Sequence, residues 1–170
     1  MDYPPFTVLI KDERFTLKNL QWIAVTSVHM PPRTKTRQQA VQTRGFFKNY
    51  MRTIRAGLGN TGKDAVLFSA TRSKGASPHI VVGDWNHYPR PSDGTWSVCG
   101  DEKTITSSGG YGYDYCCYNT SVKDHAKVHQ IVWPLPESLK SNYRKGQMAV
   151  SDHDILAVTL CERLDRAASY

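Results

Sequence analysis

The chain repeatedly runs a short apolar, β-branched segment into or out of an acid, an amide or a histidine. Trp22-Ile23-Ala24-Val25-Thr26-Ser27-Val28 ends at His29, and His79-Ile80-Val81-Val82-Gly83 runs into Asp84-Trp85-Asn86. Tyr113 to Asn119 carries Asp114 near its start, while Ser151-Asp152-His153-Asp154 leads into Ile155-Leu156-Ala157-Val158-Thr159-Leu160. Apolar runs of about four to eight residues bounded by turn formers are strands, and their length argues against buried helices. Singly, each polar residue at a strand end reads as a cap or a solvated turn. Their recurrence makes strand ends the place to look for a site.

Further elements follow the same logic. Phe6 to Ile10 is a strand, and Lys11-Asp12-Glu13-Arg14 a polar turn that makes a hairpin with the next strand. Thr36 to Leu58 has apolar residues at Ala40, Phe47, Tyr50, Met51 and Ile54, with Gly57 and Gly59 as stop signals. That pattern predicts an amphipathic helix whose outer face is basic. Thr61 to Pro78 and Pro89 to Gly110 are dominated by loop and turn formers, and Val128 to Pro134 predicts another strand. Many strands with few helices imply a sheet-dominated α/β or α+β layered domain occupying residues 1–170. There is no internal repeat, and the tail after Cys161 is expected to fray.

Charge narrows the partner class. Lys and Arg number 22 against 15 Asp and Glu, a formal charge of +7, which favours a polyanionic partner. Part of the excess is concentrated in Arg33, Lys35, Arg37, Arg44, Lys48, Arg52 and Arg55, on the predicted helix and its approach. Four cysteines, Cys99, Cys116, Cys117 and Cys161, are too few for a disulfide scaffold and form no CxxC pair for zinc. A reducing, intracellular compartment is therefore favoured. No apolar run approaches the ~20 residues of a membrane span, and Met1-Asp2-Tyr3-Pro4-Pro5 lacks the pattern of a secretory signal.

Ile80-Val81-Val82-Gly83-Asp84-Trp85-Asn86 resembles the strand and Gly-Asp-aromatic-Asn motif of the endonuclease/exonuclease/phosphatase superfamily, to which pancreatic deoxyribonuclease belongs. Ser151-Asp152-His153 before an apolar strand resembles that family's terminal Ser-Asp-His motif. Val28-His29 and Tyr113-Asp114-Tyr115 fit two looser positions, a His before a loop and helix and an aromatic-Asp strand. The resemblance covers residues 20 to 160 in the family's order.

The resemblance implies a four-layer α/β/β/α sandwich, two sheets face to face with helices outside, and metal-assisted hydrolysis of a phosphate ester, foremost a nuclease. A phosphodiester is anionic, so such a site must supply positive charge and a base for water. By that resemblance Asp152 is the metal ligand, a hard oxygen donor suited to Mg2+ or Mn2+. Asp84 orients or deprotonates water, and Asn86 holds a phosphate oxygen. His153 contacts the phosphate with Asp114 behind it, and His29 assists from the opposite side as a phosphate contact or as acid to the leaving group. His87 and the basic helix are read as incidental surface residues, and Trp85 as a core aromatic.

Members of the superfamily begin with two strands bearing an Asn and a metal-binding Glu, which have no counterpart here. Glu13, in a turn, is a weak substitute. The chain is then a fragment, a short homologue that recruits a second chain, or a derivative without catalysis. The alternative function is a non-catalytic nucleic-acid-binding or structural subunit. The incomplete sheet would favour a protein partner or self-association. Within the enzyme reading, DNA, RNA, phosphoinositide and sphingolipid substrates all occur on such a fold, and the basic charge favours nucleic acid.

Overall fold

A computed structural model describes residues 5–11, 22–32, 41, 43–46, 78–91, 94–141 and 149–162. The strands among them are β1 (Phe6–Lys11), β2 (Trp22–His29), β3 (His79–Asp84), β4 (Trp96–Cys99), β5 (Asp114–Asn119), β6 (Ala126–Trp133) and β7 (Ile155–Glu162). A short helix, α1 (Thr120–His125), joins β5 to β6, and Glu137–Leu139 forms a single 3-10 turn.

Five strands build one sheet in the order β1-β2-β3-β5-β4, and β6 and β7 form a separate antiparallel pair. Only β2 and β3 are parallel neighbours in the large sheet. A parallel pair needs a long return connection, usually helical. Within that connection, residues 41 and 43–45 are helical.

Alternation along each strand divides the apolar side chains between two faces. Val28, Val81, Trp85, Tyr115 and Cys117 pack with Phe46 on one side, where Phe46 meets Trp85 edge to face with centroids 5.5 Å apart. Ile23, Ile80 and Cys116 face the other way and pack with Val122 of α1, Ala126, and the hairpin residues Val128, Val158 and Leu160. The expected architecture, two sheets face to face with a helix outside, is thus observed in shortened form. Gln130 of β6 ties the layers through polar contacts, donating to the Asp114 carbonyl at 3.1 Å and accepting from the Cys116 N–H at 3.0 Å. Removing these bonds would leave buried peptide groups unmatched.

Two elements depart from expectation. β4 lies inside the stretch read as turns, because a four-residue strand flanked by Gly94 and Gly100 carries too little periodicity to register. It is specified instead by its pairing with β5, Trp96 opposite Asn119 through Cys99 opposite Cys116. α1 is only six residues long and begins at Asn119, whose side-chain oxygen accepts from the Val122 N–H at 3.2 Å and also from the His79 N–H at 3.1 Å. The expected helix beyond residue 46, most of its basic face, the turn bearing Glu13, the loop over 61–77 and the tail after Glu162 lie outside the described residues.

Candidate active site

Strand register alone sets a row of functional groups. Along β2 and β3, Val28 pairs with Gly83 and His29 with Asp84. On the other flank of β3, Gly83 pairs with Tyr115 and Asp84 with Asp114. His29, Asp84 and Asp114 therefore lie side by side across three strands, at the carboxyl ends of the parallel pair. Crevices form at such ends in sheets with parallel strands, because the chain leaves the sheet there.

The residues around Asp84 explain why the segment is Gly-Asp-Trp-Asn. Gly83 has φ 139°, and a Cβ there would stand 2.2 Å from the Val28 carbonyl oxygen, so no other residue fits without moving a strand. Trp85 is fully buried and donates from its indole to the Tyr115 carbonyl at 3.1 Å, anchoring the turn in the core. Asn86 adopts φ 53°, a left-handed conformation that Asn tolerates better than most residues. Its backbone N–H donates to Asp84 Oδ1 at 2.7 Å, and its amide donates to Asp84 Oδ2 at 3.2 Å and to the Met30 carbonyl at 2.6 Å. Asn86 thus orients Asp84 and ties it to the segment following His29. A phosphate oxygen would have to displace one of these acceptors to receive the contact expected of Asn86.

Two loops deliver His153 from beyond the large sheet. Thr106, buried, accepts at Oγ1 from the N–H groups of Tyr113 at 2.9 Å and Asp114 at 3.1 Å, which sets the start of β5. The same loop holds the Ser-Asp-His segment: the Ser108 N–H donates to the Asp152 carbonyl at 2.7 Å, and the Asp154 N–H to the Thr106 carbonyl at 2.8 Å. Ser151 stabilises the turn from within, its Oγ accepting from the His153 N–H at 3.0 Å.

The result is a chain of charged groups. His153 Nδ1 lies 2.7 Å from Asp114 Oδ2, while its Nε2 is 3.7 Å from Asp84 Oδ2 and 3.9 Å from Asp152 Oδ1. His29 Nε2 approaches Asp84 Oδ2 from the other side at 3.4 Å. The hydrogen bond to Asp114 outweighs the opposing effect of burial and, helped by the charges of Asp114, Asp84 and Asp152, pushes His153 up to about 9. Its imidazolium form is therefore the dominant one at neutral pH. Asp84 is raised above the ordinary carboxylate value, chiefly by burial, against the Asn86 N–H and the charge of His153.

These groups line an open cleft of about 560 Å³ together with Ser27, Val28, Pro32, Gly83 and Tyr113. All six candidate residues, His29, Asp84, Asn86, Asp114, Asp152 and His153, meet in it. Among the described residues no group of three or more His, Cys, Asp or Glu could hold an ion by itself. The donor set suits a cation that keeps most of its water and takes one or two carboxylates, as magnesium does, and not a closed cage. Asp152, 34% exposed at its side chain, is the most exposed of the three cleft aspartates. Three aspartates facing two imidazoles also leave a deficit of positive charge for an anionic substrate.

His87 corrects the sequence reading. It is buried, not a surface residue, and its Nε2 is hydrogen-bonded to Thr43. Its Nδ1 has no hydrogen-bond partner among the described residues. Burial holds this imidazole below its ordinary value, so it packs as a neutral residue outside the cleft lining. Thr106 and the Met30 carbonyl, by contrast, were not marked by any motif. One hydroxyl in the run Thr104-Ile105-Thr106-Ser107-Ser108 carries no signal, and a backbone carbonyl carries none at all.

No family model matches the chain, and no curated protein matches it. Among solved structures it is similar to the human Nocturnin catalytic domain with bound sulfate, at TM-score 0.45 and 17% identity, covering 91% of this chain and 52% of that one. The Haemophilus ducreyi cytolethal distending toxin aligns at TM-score 0.44 and 10% identity over 92% of this chain and 58% of that one. Truncated Caenorhabditis elegans TDP2 aligns at TM-score 0.43 and 14% identity, with coverages of 91% and 65%. The chain spans about half to two-thirds of the length of these structures.

Proposed function

We propose that the cleft hydrolyses phosphodiester bonds of nucleic acid with the help of a divalent cation. The observation that carries this reading is the Asp114–His153–Asp84 array in one cleft, with His29 facing it across Asp84. A carboxylate that locks a cationic imidazole beside a second, partly desolvated carboxylate provides an acid-base pair with divided roles.

In this reading Asp84 orients the attacking water and takes its proton as the new P–O bond forms. Burial raises its pKa, which makes it a better base than an exposed carboxylate. His153, held by Asp114, donates from Nε2 to a non-bridging phosphate oxygen and offsets charge building on phosphorus. As the opposite P–O bond breaks, His29 donates a hydrogen bond or a proton to the departing oxygen. Asn86 keeps Asp84 aimed. Asp152 would hold Mg2+ or Mn2+, which supplies positive charge to the phosphate. The chain's formal charge of +7 supports a polyanionic substrate.

The test is incubation of the chain with supercoiled plasmid and single-stranded RNA, in magnesium, manganese or chelator, beside Asp84→Ala and His153→Ala variants. Metal-dependent cleavage lost in both variants is the expected result. Binding that persists in chelator, with no cleavage under any condition, would instead support a non-catalytic nucleic-acid-binding subunit. The lack of an ion cage among the described residues is the observation favouring that second reading.

A further inference from the structure

The wall of the cleft beside His153 is aromatic, and the acid-base chemistry above makes no use of it. Gly109-Gly110-Tyr111-Gly112-Tyr113 immediately precedes Asp114. A tight turn closes through the Gly110 N–H and the Ser107 carbonyl at 3.0 Å, with Gly110 at φ 82°. Beyond the turn, the Tyr111 carbonyl accepts from the N–H groups of Thr106 at 3.0 Å and Ser107 at 3.1 Å. The Tyr111 backbone is thereby fixed while its side chain projects outward.

The rings form a series leading out of the site. Tyr113, a cleft residue, lies with its centroid 6.3 Å from the His153 ring, tilted by 38°. Tyr111 stacks on Tyr113 at 5.4 Å and 17°. Tyr111 is 50% exposed and belongs to neither apolar cluster. The ring is held nearly parallel to its neighbour, outside the core, with half of its surface in water. It offers a flat apolar surface next to a phosphate-handling centre.

We propose that the Tyr111–Tyr113 pair is a stacking platform for an unpaired nucleobase adjoining the scissile phosphate, so that the preferred substrate is single-stranded nucleic acid or a frayed strand end. This rests on the phosphodiesterase reading above and deepens it. A base inside a duplex has both faces covered by its neighbours, and placing it on a protein ring first requires unstacking. A base in a single strand meets no such barrier, and any base can stack because each has a π-face. The platform therefore selects strandedness and not base identity. Its tyrosines carry no formal charge, so its contribution persists at salt concentrations that weaken phosphate contacts.

The experiment measures binding and cleavage separately, with the full chain. Fluorescent single-stranded DNA, single-stranded RNA, duplex DNA and a single-stranded oligonucleotide of abasic sites are titrated in chelator and followed by anisotropy, for wild type, Tyr111→Ala and Tyr111→Trp. Tyr111→Ala should weaken binding of both single strands by about tenfold, leave the abasic oligonucleotide unchanged, and be reversed by Tyr111→Trp. Wild type should bind the single strands more tightly than the duplex. Equal binding of base-bearing and abasic strands by wild type, or no effect of Tyr111→Ala, overturns the platform. Cleavage is then measured with magnesium or manganese. Metal-dependent cleavage lost in His153→Ala but unaffected by Tyr111→Ala sinks the platform and leaves the catalytic reading standing. A Tyr111-dependent preference for base-bearing strands without any cleavage sinks the catalytic reading and leaves the platform standing.

Discussion

The two flanks of Asp84 are built to different standards. On the β5 side, Asp114 and His153 are joined at 2.7 Å, and Thr106, Ser108 and Ser151 each hydrogen-bond the backbone that carries them. On the β2 side, His29 has a side chain 47% exposed and approaches Asp84 at 3.4 Å. A group that must hold one protonation state and one orientation needs buried partners around it. A group that meets substrate from solvent needs reach instead. In the proposed reaction, that difference suits His153 to the fixed charge and His29 to the adaptable contact.

The contrast can be broken most sharply at His153. Its replacement by Ala is expected to lower cleavage by about 10²–10⁴-fold, measured as single-turnover rate, and to lower the thermal midpoint as well, because it leaves the buried Asp114 carboxylate without its partner. Next comes Gly83→Ala, which forces a Cβ against the Val28 carbonyl at a positive φ and so disturbs both flanks at once. A loss of about 2–4 kcal/mol is expected, read from denaturant unfolding; an unchanged midpoint would show that β2 and β3 can separate freely.

Thr106→Val tests whether the β5 flank owes its order to the hidden clamp. It removes the oxygen that accepts from Tyr113 and Asp114, at an expected cost of about 1–3 kcal/mol. A fall in the pKa of His153, followed by its ring proton resonances, should accompany it. His29→Ala is expected to cost only about tenfold in cleavage, close to one hydrogen bond of ~1.4 kcal/mol. A loss as deep as that of His153→Ala would erase the distinction between the flanks.

The smallest effect concerns His87. Its folded pKa is lowered by burial, so the unfolded chain binds more protons once the pH drops below the ordinary value of 6.5. The stabilisation is fully present above that value and is lost as the pH falls through the lowered folded pKa. Chemical denaturation between pH 7 and 5 should show a steeper decline for wild type than for His87→Phe, which has no proton to take up.

Much of this was legible in the chain itself. β2, β3 and β7 announce themselves as apolar β-branched runs, and each delivers a polar residue at an end that the folded sheet places in the cleft. Residue type also carries over directly for Trp85, read as a core aromatic and fully buried in the fold. These are local properties, determined by sterics and hydrophobicity within a few residues.

What only the tertiary structure decided is non-local. Whether His29, Asp84 and Asp114 form a row depends on the pairing register of three strands, and a one-residue slip would turn a side chain to the opposite face. The buried His87 finds its hydrogen-bond partner in Thr43, 44 positions earlier in the chain. β4 exists because β5 offers a partner, and Thr106 matters because two N–H groups converge on its hydroxyl. The chain could state which side chains were available for chemistry. Hydrogen-bond register and burial, which arise only when distant segments meet, decided which of them share a proton, which turn neutral, and which remain open to substrate.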